Sequence, residues 1–432
     1  MVRPNILYLH SHDTGRYVQP YGYAVPTPHI QQLAEQGVLF RQAFCASPTC
    51  SPSRAALLTG QAPHNSGMLG LAHRGFSLND YRQHILHTLR PAGYFSAEVG
   101  MQHIAADPRI TGYDRLIPTT SNHTVNVVPA AVEFLRNNPP PPFFLSVGFE
   151  ETHRPFHPAS AQEDSRYCLP PRTLPDLPET RADFSNYKAS ARILDDAVGG
   201  VLRALDETGL ANNTLVLCTT DHGIAFPGIK CNLTDQGIGV MFILRGPGEF
   251  RGGQVFDALI SHIDFFPTVC ELLDIPAPAW LQGKSLLPLV RGEVAQLNEE
   301  IFAEVNYHAA YEPQRAVRTP RYKYIRRFGD RITPVLPNCD DSPSKEVWVR
   351  NGWKHRTIPH EQLFDLIFDP GESNNLASDP TYAPVLDEMR ERMHRWMEHT
   401  NDPLLRGDIP APAGARVNDP NGLSADEPTR MV

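Results

Sequence analysis

Short apolar runs alternate with amphipathic stretches through the first two thirds of this chain, and that alternation restricts the architecture more than any other feature. Asn5 to Leu9, Val38 to Ala43, Phe95 to Val99, Phe143 to Val147 and Leu215 to Thr219 read as buried strands. His29 to Glu35 reads as a short helix opened by Thr27-Pro28, a capping residue followed by proline at the first helical position. A second helix is expected near Tyr81 to Leu89, and another ends at the prolines Pro139 to Pro142. Ile193, Leu194, Val198, Val201, Leu202 and Leu205 give one apolar face to a long helix over Ala189 to Leu205. Strands and helices in this succession predict an α/β fold, with a mixed, mostly parallel sheet sandwiched by helices. Ligands of such sheets bind beyond the carboxyl ends of the strands, so the residues just after each strand are the ones to read for chemistry.

The pattern changes after about Arg291. Ile301 to Val305, Arg315 to Val317 and Tyr322 to Arg326 look like strands of a small antiparallel sheet, and a helix near Tyr382 to His399 would pack on it. The 432 residues therefore divide into a large α/β domain over 1–290 and a smaller C-terminal α+β domain over 291–401. A Pro-, Gly- and Asp-rich tail over 402–432 is expected to be extended or disordered.

A net charge of -9 gives no support to a nucleic-acid partner, although a small cationic pocket can still serve an anionic substrate. The N-terminal apolar run, Ile6 to Leu9, is too short for a signal-peptide core or a membrane span, so a cytoplasmic chain with no membrane partner is expected. The seven cysteines form no C-x-x-C pair, which argues against a zinc ribbon or a redox motif. Several, such as Cys218 in Thr214 to Cys218, lie in apolar runs and read as small buried hydrophobes. Cys50 differs, because Cys50-Ser51-Pro52-Ser53-Arg54 precedes a helical run and puts the thiol at a helix N-terminus, where free backbone N–H groups favour anions.

Cys50-x-Pro52-x-Arg54 joined to Ala56-Leu57-Leu58-Thr59-Gly60 resembles the signature of type I sulfatases of the alkaline-phosphatase superfamily. Pro4-Asn5-Ile6-Leu7, Thr219-Thr220-Asp221-His222-Gly223, Ser261 to Thr268, Arg315 to Thr319, Glu361 to Leu366 and Asp369 to Ala377 extend the resemblance over nearly the whole chain in order. Within that family His64 to Met68, Phe149 to Arg154 and Gly223 to Pro227 look most like heparan N-sulfatases. The resemblance implies an alkaline-phosphatase-like fold and a sulfohydrolase of sulfate esters or sulfamates. It also implies that a separate maturation enzyme oxidises Cys50 to formylglycine. One hydroxyl of the hydrated aldehyde would attack sulfur, and the other would release sulfate as the aldehyde re-forms.

By the same resemblance Arg54 holds the hydrate, His153 protonates the leaving atom, Lys230 binds the sulfuryl group and His103 is a further site histidine. One divalent cation would be held by His12, Asp13, the modified Cys50, Asp221 and His222. The chain departs from the family pattern here, because His12 replaces an aspartate and His222 an asparagine. Oxygen shells suit calcium, the family default, whereas imidazoles make manganese a competitor. Met101 stands where a family lysine is common, and Arg154, Arg74 and His73 are candidate replacements for that cation. The expected partner is a small sulfated anion, of a sugar or metabolite. Asp221-His222 also fits a phosphonate monoester or phosphodiester hydrolase of the same superfamily, while Met101 and His12 keep a binding-only relative open. The loops Leu69 to Asn79 and Arg154 to Ser185 are expected to set specificity. Oligomeric state is not legible.

Overall fold

The computed structural model describes residues 3–432. Eight strands form the large sheet: β1 (Asn5–Ser11), β2 (Val38–Phe44), β3 (Phe95–Gly100), β4 (Arg115–Ile117), β5 (Phe143–Gly148), β6 (Thr214–Thr220), β7 (Phe242–Arg245) and β8 (Gln254–Ser261). Their order is β4-β3-β5-β1-β6-β7-β2-β8, and only β7 runs antiparallel to its neighbours. The sheet is thus mixed and mostly parallel, with helices on its faces, as the alternation of patterns predicts. Strand β1 is buried at every position and sits between β5 and β6, in register Leu9↔Val147 and Leu9↔Cys218. Burial on both faces explains its unbroken apolar run.

Helix Pro178–Glu207 covers one face beside Thr124–Arg136, packing Leu194, Val198, Val201 and Leu205 against Leu7, Leu9 and Val216. It begins at Pro178 rather than Ala189, so the second specificity loop is shorter than its expected span to Ser185. The expected helix over Tyr81 to Leu89 is broken into a 3-10 turn, Tyr81–Gln83, and a short helix, Ile85–Leu89. His84 caps the second piece by accepting the Leu86 amide on its ring nitrogen, so one side chain both ends and restarts the helix.

The smaller antiparallel sheet contains β9 (Ile301–Tyr307), β10 (Tyr311–Arg318), β11 (Tyr322–Arg327) and β12 (Glu361–Asp365), in the order β12-β11-β10-β9. Helix Ala383–His399 packs on it through Leu386, Met389, Met393 and Met397. Ile301, Ala303, Val305, Ala316 and Ile325 lie in one continuous core with Phe40, Phe44 and Phe266 of the larger layer. The tail is an extended arm held to the body. At its start Asp402 accepts a bidentate pair from Arg315, 2.5 and 2.8 Å, with both side chains fully buried. Further on, β13 (Arg416–Val417) pairs with β14 (Arg430–Met431), and Asn418 donates its amide to Ala309. Among the described residues, no helix is long and apolar enough to cross a membrane.

Glu98 on β3 is a buried carboxyl whose Oε2 has no hydrogen-bond partner. Burial pushes its pKa up to about 8. A raised carboxyl favours folding below the ordinary glutamate pKa, and that advantage is lost as pH rises toward 8. Glu98→Gln should remove this decline and stabilise the protein at pH 8 by on the order of 3 kcal/mol, measured by denaturant unfolding at pH 5 and pH 8. Equal stability of the two proteins at both pH values would refute the assignment.

Candidate active site

The carboxyl ends of β1, β3, β5 and β6 deliver the titratable side chains to one place. Past β1 the chain turns through His12 and Asp13, and Asp13 adopts a left-handed backbone, φ 56°. Its amide donates to Asp221 Oδ1 at 2.8 Å, which ties the end of β1 to the end of β6. A non-glycine residue in that region costs about 1 kcal/mol, and here it aims a carboxylate into the site. Helix Cys50–Thr59 starts at Cys50 after the extended Thr49, is buried along its whole length and ends at Gly60 in a left-handed cap. Its Ser53 Oγ donates to the Asp221 carbonyl at 2.5 Å, locking the helix to β6.

His12, Asp13, Cys50 and Asp221 place ligand atoms within 4.8 Å of one another. His222 joins them, with Nε2 at 3.4 Å from Cys50 Sγ and 3.3 Å from Asp13 Oδ1. Its Nδ1 lies 2.9 Å from the Gly223 carbonyl and donates to it, so the Nε2 lone pair faces the carboxylate. His12 Nε2 lies 3.3 Å from Asp221 Oδ2. Burial, with His153 and Arg54 adding to it, keeps the His12 imidazole well below its ordinary range and therefore neutral. Neither His12 nitrogen nor Asp13 Oδ1 has a hydrogen-bond partner. Buried lone pairs facing carboxylate oxygens repel unless a cation lies between them, so these residues fit a divalent ion.

Two permanent cations back the shell. Arg54 donates to Asp221 Oδ2 at 2.9 Å, to the Ser11 carbonyl at 2.9 Å and to His10 Nδ1 at 2.5 Å. Burial opposes ionisation of Asp221, yet the Arg54 guanidinium and the Asp13 amide keep its carboxyl well below the usual range. Lys230 donates to Asp13 Oδ2 at 2.8 Å and meets Asp340 Oδ2 at 3.0 Å. Burial works against its charge, but the Asp13 and Asp340 carboxylates hold the ammonium well above the ordinary lysine range. Burial, with opposition from Asp13 and Asp221, pushes the Cys50 thiol well up, so an unmodified Cys50 stays protonated.

His153 donates Nδ1–H to the Arg154 carbonyl at 2.6 Å, which directs Nε2 toward Lys230 at 3.5 Å. His103 shares a cluster with His12 and Cys50 and has a ring nitrogen 2.8 Å from His73. The geometry thus brings together Cys50, Arg54, His153, Lys230, His103, His12, Asp13, Asp221 and His222.

Of the candidate replacements for the missing cation, only His73 reaches the cluster. Arg154 is committed to Asp183 by two 2.8 Å bonds and stacks on Phe156 and Phe226. Arg74 is turned away, to Asn418 Oδ1 at 2.7 Å. Two site residues carry no readable sequence signal: Asp340, in the irregular stretch between β11 and β12, and His10, inside a strand. His10 accepts from Arg54 and fixes its fork, an arrangement that depends on a contact across the sheet.

The fold is that of solved sulfatases. A 2-O GAG sulfatase superimposes with a TM-score of 0.73 at 23% identity, covering 95% of each chain. The family model described as Sulfatase matches residues 4–275, so the chain belongs to the sulfatase family and is a sulfuric ester or sulfamate hydrolase. A second model, described as N-sulphoglucosamine sulphohydrolase, C-terminal, matches residues 230–345. The chain is 29% identical to a human N-sulphoglucosamine sulphohydrolase over 88% of its length and 87% of the relative's. It is 28% identical to an ulvan-active sulfatase of Formosa agariphila over 100% and 87%.

Proposed function

We propose that the chain is a metal-dependent sulfohydrolase whose nucleophile is formylglycine made from Cys50, acting on a sulfated sugar or small metabolite. The observation that carries this reading is the set of unpartnered ligand atoms on His12 and Asp13, joined by His222 Nε2, converging beside Cys50. The sugar preference rests on the human and ulvan-active relatives. Formylglycine at position 50 would supply a hydrated aldehyde as nucleophile, and a divalent cation held by His12, Asp13, Asp221 and His222 would polarise the reacting oxygens. The imidazoles in that set favour manganese over calcium.

The chain's own groups do the rest. Lys230 presents a permanent positive charge to the sulfuryl oxygens, and Asp340 keeps it ionised. His153 Nε2 is aimed to carry the proton that goes to the departing oxygen or nitrogen. His103 and His73 line the side where Met101 offers no charge. Arg54 balances Asp221 and keeps the β6 end from repelling an anion.

The imidazole at His222 and the uncharged Met101 favour a second reading, a phosphonate monoester or phosphodiester hydrolase using the same groups. Peptide mass spectrometry on position 50, with and without a co-expressed maturation enzyme, tests the first. It is paired with rates on matched aryl sulfate, glucosamine N-sulfate and aryl phosphonate. Turnover that tracks formylglycine occupancy and prefers the sulfuryl substrates is expected. Equal turnover by the unmodified thiol protein would overturn the nucleophile, and a large preference for phosphonate would select the second reading.

A further inference from the structure

A second cluster of metal-ligating side chains lies behind the loop that carries His153. Glu151 Oε1 is 3.2 Å from His123 Nδ1 and 3.3 Å from His157 Nε2, and the three ligand atoms lie within 4.8 Å of one another. Glu151 is 3% exposed, whereas the two imidazoles are about half open to solvent at 49% and 39%. Its Oε2 accepts the Thr124 amide at 3.0 Å, and its Oε1 also receives the Thr124 hydroxyl at 3.3 Å. Among the described residues, no arginine or lysine pairs with this carboxylate. A buried carboxylate without a permanent cation is costly, and beside the Thr124 donors only two imidazoles face it.

The contacts are long for charge-assisted hydrogen bonds, which settle at about 2.7–2.9 Å. Ligands bound at about 2.0–2.2 Å to a tetrahedral ion sit about 3.3–3.6 Å apart, and the two edges here, 3.2 and 3.3 Å, lie close to that spacing. The candidate catalytic shell has the same nitrogen-to-oxygen edges, 3.3 Å for His222 to Asp13 and 3.3 Å for His12 to Asp221.

We propose that His123, Glu151 and His157 form a second metal site, taking a zinc ion with a fourth position open to water. Two imidazoles and one carboxylate are a borderline-soft donor set that suits zinc and not calcium. The ion would join three segments: the start of helix Thr124–Arg136, the end of the β5 turn and the Pro155–His157 stretch. Glu151 also accepts the His12 amide on its carbonyl at 3.1 Å, and His153 is two residues on. Zinc at this site therefore braces the loop that aims His153.

The test uses the full chain with its catalytic shell loaded with manganese, titrated with zinc by calorimetry and analysed for bound metal after gel filtration. The wild type should hold one zinc equivalent beyond the catalytic ion. His123→Gln and His157→Gln should each weaken it by at least about 100-fold, a loss already typical of outer-shell partners. A cobalt titration should give a tetrahedral absorption band that both substitutions abolish. Asp13→Asn should disturb the catalytic ion and leave this zinc in place. No extra equivalent in the wild type, or one that survives both histidine substitutions, would overturn the proposal.

Discussion

Cys50→Ala should lower kcat on a sulfated substrate by about 10⁴-fold or more while leaving the fold intact. The substitution removes only the atom from which the nucleophile is made. Cys50 is 2% exposed at the first turn of its helix, and alanine keeps that turn and its packing, so the stability cost should be on the order of 1 kcal/mol. Circular dichroism and the melting temperature check the fold, and single-turnover assays check the chemistry. Residual activity within tenfold of wild type would move the nucleophile elsewhere in the shell.

Lys230→Ala should combine two large effects that a second substitution can separate. Loss of a preorganised cation at the sulfuryl group should reduce kcat/KM by about 10²–10³-fold. The buried Asp13 and the partly buried Asp340 would then have no ammonium between them, at a cost of about 3 kcal/mol in stability. Adding Asp340→Asn removes one of those charges. The double variant should regain part of the stability and none of the turnover. Recovery of turnover in the double variant would show that Lys230 serves only to pair its neighbours.

The strands β1, β2, β3, β5 and β6 are legible because each is built around a buried apolar stretch, and β9 to β11 because they follow one another closely. Strands β4, β7, β8 and β12, and the two-residue β13 and β14, carry no such signal. Phe242–Arg245 is only four residues long, and the outer half of Gln254–Ser261 is partly exposed, so neither has a periodicity that separates it from a loop. The long helix extends back to Pro178 because its first turns pack Phe184 and Tyr187 against Phe226, an aromatic cluster with no helical period of its own. At the site, residues inside motifs such as Cys50, Asp221 and His222 announce themselves. Asp340 does not, since its role comes entirely from meeting Lys230 across two layers of the fold. Arg154 misled for the converse reason. A free-looking arginine beside a site histidine turned out to be spent on Asp183 and two aromatic rings.

The burial of Cys50 sets a schedule for the chain's own synthesis. Its thiol is buried against His222, beside the shell that Lys230 closes through Asp13, and the nearby His73 turn is held by Arg416, which donates to the His73 carbonyl at 2.7 Å. His222 and Lys230 leave the ribosome well after Cys50, and the arm that carries Arg416 follows them. A nascent chain therefore displays Cys50 in an accessible segment until those later segments have emerged and closed over it. Any enzyme that alters this side chain has to work on the unfolded segment, so the rate of folding competes directly with the extent of modification.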